Sequence, residues 1–91
     1  MLKVNAKIIL YSGEAKRQTP LKSGYRPLFE ISNETKVSGL ITLLDRAELK
    51  PGDEAIVEIQ FANASCVKGA EFRFYESVEA LGEASVLEVL S

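Results

Sequence analysis

Histidine and tryptophan are absent from this chain, and cysteine and methionine occur once each. The missing histidine removes the Ser–His and Cys–His nucleophile pairs and every imidazole-based zinc site. A single cysteine, Cys66, allows no disulfide within the chain, which agrees with a reducing compartment. Cys66 stands between Ser65 and Val67 with no base beside it, so it reads as an inert small side chain rather than a catalytic thiol. No apolar run approaches the roughly 20 residues that a membrane-spanning helix needs. The stretch Met1–Lys7 lacks the apolar core and small-residue cleavage site of a signal peptide. A phosphate-binding loop with its two glycines and following lysine is missing too. The expectation is a non-enzymatic, cytoplasmic chain that needs no cofactor, metal, nucleotide or membrane.

What is present describes one domain. The 91 residues are 46 % hydrophobic and 26 % charged, enough for a modest core without staples. Net charge is −2, so no overall field draws in nucleic acid. Its distribution is uneven. Residues 1–26 hold six cations (Lys3, Lys7, Lys16, Arg17, Lys22, Arg26) against Glu14, while residues 27–91 hold five cations against twelve acids.

Apolar residues alternate along much of the chain, which is the period of half-buried strands. Val4, Ala6, Ile8 and Leu10 share one face of a first strand. Phe29 and Ile31 oppose Leu28 and Glu30 in a second, and Ser32–Thr35 is a turn. From Lys36 to Leu44, Val37, Gly39, Ile41 and Leu43 share a side, with Gly39 expected at a bulge or bend. Asp45–Lys50 can form a helical turn, stopped by Pro51-Gly52-Asp53. Ala55–Ala62 is the clearest strand, with Ala55, Val57, Ile59 and Phe61 inward. Asn63–Gly69 reads as a loop, Phe72 and Phe74 point inward from a fifth strand, Ser77–Gly82 reads as a turn, and Ala84–Leu90 is a sixth strand. Six short antiparallel strands suit a closed barrel or a small sandwich. No internal repeat is apparent.

The segment Gly13–Pro27 is the conspicuous one. It carries two prolines, two glycines and four cations, and is long for a connection within a compact domain. Glu14, Arg17, Thr19, Pro20, Gly24, Tyr25, Arg26, Pro27 and Phe29 resemble, in type and spacing, the hallmark loop of the third (C-terminal) domain of elongation factor Tu. Pro51-Gly52-Asp53 resembles that family's second motif, and Gly69, Phe72, Glu76 and Gly82 fall where its last hairpin lies. The resemblance runs from about Val4 to Leu90. It implies a six-stranded antiparallel closed barrel, the third domain standing without its GTPase.

The resemblance also implies a site. The family's loop faces the T-stem of aminoacyl-tRNA, so Arg17, Lys22, Tyr25, Arg26 and Ser38 become candidates for contacting RNA or a protein partner. Arginine offers a planar fork suited to phosphate. The alternative is that Arg17 and Arg26 brace the loop's own carbonyls and neighbouring acids. The chain departs from the family where tRNA contact matters most. Leu28 replaces a glutamine, only Ser38-Gly39 survives of a polar segment, and the basic, glycine-rich last hairpin becomes Tyr75–Ala84 with Glu79 and Glu83. Carboxylates repel a phosphate backbone. A protein of the translation machinery is therefore the expected partner, with residual tRNA binding as the alternative. Val78 and Leu81 in the last turn form either a small apolar interface or a lid over the barrel end. Glu76, Glu79 and Glu83 read as a solvated acidic run.

Overall fold

The structure, a computed structural model, describes residues 2–13, 19–32, 35–62, 70–76 and 78–90. Eight strands follow in chain order: β1 (Leu2–Leu10), β2 (Leu21–Lys22), β3 (Leu28–Ser32), β4 (Thr35–Leu43), β5 (Glu48–Leu49), β6 (Glu54–Phe61), β7 (Glu71–Tyr75) and β8 (Ala80–Val89). Six of them close an antiparallel barrel in the order β1-β6-β4-β3-β7-β8, while β2 and β5 pair as a separate ribbon. Closure leaves no continuous sheet edge for another chain to extend.

Alternation decides what lies inside. Val4, Ala6, Ile8 and Leu10 of β1 are buried, as are Ala55, Val57, Ile59 and Phe61 of β6, and no polar or charged residue is buried among the described ones. The barrel centre is aromatic. Phe29 meets Phe61 edge to face at 5.1 Å between centroids and lies 5.6 Å from Phe74, while Phe61 meets Phe72 at 6.3 Å. These are the separations at which ring quadrupoles attract.

Gly39 does not sit at a bulge. Its strand passes through it in unbroken register, pairing it with Phe61 of β6, and its amide donates to the Pro27 carbonyl at 3.1 Å. A β-carbon there would stand 2.8 Å from the Phe29 ring, so the missing side chain makes room for that ring inside the barrel. The register shifts lie at Asn5/Ala6, Glu30/Ser32 and Phe74/Tyr75 instead.

Asp45–Lys50 forms no helical turn. Leu49 enters β5, pairs with Leu21 of β2, and both side chains are fully buried at one end of the barrel. Burying two leucines outweighs one turn of local helix, since a lone turn fixes several dihedrals for a single hydrogen bond. The last strand likewise starts earlier than alternation implies, at Ala80, because Gly82 fits closely between β1 and β7.

A repeat hidden in the sequence emerges here. Lys22-Ser23-Gly24-Tyr25 closes with Tyr25 N–H donating to the Lys22 carbonyl at 3.2 Å, and Lys50-Pro51-Gly52-Asp53 with Asp53 N–H donating to the Lys50 carbonyl at 3.0 Å. Gly24 and Gly52 take φ of 96° and 91°, which is what the third position of a type II turn demands. Each turn runs into the same glycine bulge. Gly24 N–H donates to Ile41 O while Ile41 N–H donates to Tyr25 O, and Gly52 N–H donates to Leu10 O while Leu10 N–H donates to Asp53 O. The underlying segments, Leu21–Ile31 and Leu49–Ile59, share Leu, Lys, Gly, Glu and Ile at matching positions.

Candidate functional site

The conspicuous segment is built onto the barrel rather than looped away from it. Ser23 Oγ accepts a hydrogen bond from Leu43 N–H at 2.8 Å, and the bonds from Gly24, Ile41 and Gly39 continue that contact along β4. Ser23–Pro27 is in effect a forward extension of β3. Leu21 holds its start in the core and Pro27 its end.

This geometry divides the candidate residues between two surfaces. Lys22 and Tyr25 line an open depression of about 560 Å³ at the barrel end, together with Thr19, Pro20, Ser23 and Glu48. Tyr25 is half-buried against the core, and its hydroxyl donates to Glu76 Oε1 at 2.6 Å, tying the segment to the chain after β7. Lys22 is exposed and faces Glu48 across the β2–β5 ribbon.

Arg26 and Ser38 belong to the outer wall instead. Strand alternation turns Pro27 and Phe29 inward and Arg26 and Leu28 outward, and Ser38 is level with Leu28 on β4. Arg26 is exposed and makes no hydrogen bond or ion pair with a described residue. Arg17, together with Lys16, lies outside the described residues, as does Cys66.

Tyr75, not among the sequence candidates, contributes to the same wall. It pairs with Leu28, its hydroxyl donates to Glu30 Oε1 at 3.3 Å, and Lys36 Nζ sits 4.2 Å from its ring centroid. That ring crosses β3, held by a carboxylate at one end and a cation over its face. The signal for it was the outward position of Leu28, which alternation gives, together with a register that no sequence pattern supplies.

The last turn needs correction. Leu81 is only 8 % exposed and joins the core, because β8 has already begun and turns its side chain inward, so it offers no interface. Val78 is 90 % exposed. The acidic run is not simply solvated either. Glu76 accepts from Tyr25, and Glu83 Oε2 accepts from the Tyr11 hydroxyl at 2.9 Å. Partial burial, that hydrogen bond and the Glu83 charge together hold the Tyr11 phenol above its usual pKa, against a smaller opposing effect of Arg73. Two carboxylates thus fasten two separate tyrosines.

Among the described residues no group of three or more Cys, Asp or Glu converges as a metal site would. No described helix is long and apolar enough to cross a membrane. The chain is a small all-β closed-barrel domain whose polar features are exposed and shallow. No protein-family model matches it.

Proposed function

We propose that this chain is a non-catalytic binding module of the translation-factor type, docking on a protein of the translation machinery. The observation that carries the reading is Arg26. It is exposed, makes no contact with a described acid, and projects from a backbone fixed by a glycine bulge, a proline and four hydrogen bonds to β4. A cation carried on a fixed backbone spares a partner the cost of ordering the segment that bears it, which is how preorganised surfaces gain affinity. The neighbouring segment bears Glu76, Glu79 and Glu83, carboxylates that favour a protein over a phosphate backbone.

Residual binding to the tRNA T-stem is the second reading, favoured by Arg26 and Ser38 sharing one wall. The two separate in one experiment. Affinity capture from a nuclease-treated lysate should recover a component of the translation machinery, and Arg26→Glu should weaken that recovery. Titration with tRNA at about 50 mM salt, where phosphate contacts are strongest, should stay flat. Capture that depends on intact RNA would reverse the order of the readings; recovery of no translation component would count against the first, and a flat tRNA titration against the second.

A further inference from the structure

Alternation places Lys3 and Lys7 on the outside of β1, and Glu54 and Glu58 on the outside of its neighbour β6. Both sets are spaced by four residues, so a stripe of two cations runs beside a stripe of two carboxylates. The same diagonal links them twice, Lys3 Nζ to Glu58 Oε1 at 3.8 Å and Lys7 Nζ to Glu54 Oε2 at 3.9 Å. Both distances exceed a direct hydrogen bond, and the four side chains are between 30 % and 60 % exposed, so neither pair adds much to folding. Apolar side chains stand among these charges. Ile56, level with Lys7 and between the two glutamates, is 38 % exposed, and Leu44, just past the end of β4, is 51 % exposed. Beside Ile56 lies a shallow depression of about 180 Å³ whose rim includes Lys7, Glu54 and Asp45. The strands of this wall, β1, β6 and β4, are described along their whole length.

We infer that this wall is an interface between two copies of the chain, related by a two-fold axis that runs along the strands between β1 and β6. Such an axis lays each β1 over the partner's β6. Every carboxylate of the stripes then meets a second ammonium, and two loose pairs per chain become alternating four-charge clusters. An axis along either strand itself fails, because it sets lysine on lysine or glutamate on glutamate. Close to the axis the two Ile56 side chains meet, each entering the other's depression. The contact is only as long as the eight paired residues of β1 and β6, less than the standard interface of about 800 Å² per partner, so the dimer is a weak one. In the closed order β3 is three places from β1, so Arg26, on the extension of β3, lies on the far side of the barrel. The dimer therefore leaves both copies of Arg26 accessible and presents them as a bivalent surface. The inference is independent of what docks there.

Sedimentation equilibrium of the full chain over a series of concentrations tests it. The expected result is a reversible monomer–dimer equilibrium with a dissociation constant between about 1 μM and 1 mM, the range of weak contacts. Lys7→Glu and Glu54→Lys should each weaken the dimer about tenfold or more, since each sets like charges against one another twice in a symmetric contact. Combining the two exchanges the charges at that level and should restore most of the lost affinity. The double variant also keeps the net charge of −2, so a change in overall repulsion does not account for the recovery. Both side chains are exposed, so the variants keep their fold, which their amide spectra verify. Breaking the pair within one chain alters stability but not mass, and mass is what the experiment reads. A monomer at every concentration up to about 1 mM, single variants that associate as wild type does, or a double variant no better than the singles would each overturn the inference.

Discussion

A β-carbon at Gly82 would collide with the Ile9 carbonyl oxygen and stand 2.6 Å from the Phe74 ring. Neither can yield, since one is backbone inside a paired strand and the other is a fully buried ring. Gly24 is the opposite case, with open space around it but a φ of 96° that side chains resist. Gly82→Ala should therefore cost roughly 3 kcal/mol or more, the upper range for overpacking, and Gly24→Ala about 1–2 kcal/mol for left-handed strain. Urea midpoints of the two variants give the order, and equal losses would contradict it. Tyr11 offers a pH test. Its phenol is raised in the folded chain, so the stability it contributes is complete below the unfolded phenol pKa of about 10 and fades as pH climbs through the folded value. Wild type should lose stability above about pH 10 more steeply than Tyr11→Phe. Parallel curves would mean that the Glu83 contact has no influence on folding.

Strands β2 and β5 are only two residues long, yet both deliver a fully buried leucine to the barrel end. Leu49→Ala should cost about 2–5 kcal/mol, as such deletions in cores do. Its local signature should be faster amide exchange at Gly24 and Ile41, whose bonds hold the extension of β3 in place. Ser23→Ala removes the acceptor for a part-buried amide at Leu43 and should cost about 1–3 kcal/mol with little change elsewhere. Strands of this length carry no readable period, which is why Asp45–Lys50 suggests a helical turn by composition alone. The long strands were legible because each buries one face only: Val4 to Leu10 and Ala55 to Phe61 alternate without interruption. Register was not legible. The placing of Tyr75 beside Leu28, and of Arg26 just past the end of β7, depends on which strands meet and where one stops, and neither is encoded within a single strand. Hence Lys22 and Arg26, grouped by proximity in sequence, part company in space.

Taken whole, the barrel joins its first strand to its last. β1 pairs with β8 over most of its length, so the wall stays open until the end of the chain is in place. Folding should be slow for a chain of this size, in the range of milliseconds to seconds that non-local β topologies show. Deleting residues 83–91 should abolish the cooperative transition rather than lower its midpoint. Stopped-flow refolding and a thermal scan of the truncated chain measure these two outcomes. The aromatic interior was visible in the sequence as inward phenylalanines. The doubled turn was not, because the two segments share only a few identities and the likeness lies in glycines of one conformation.

The meeting of β1 and β8 has a geometric consequence. Leu90 N–H donates to the Lys3 carbonyl at 2.8 Å, on the rim opposite the two glycine turns. A tether, tag or fused domain joined at either terminus would leave from that rim, pointing away from Lys22, Arg26 and Val78. Anchored to a surface by its ends, the molecule would stand with its two glycine turns uppermost.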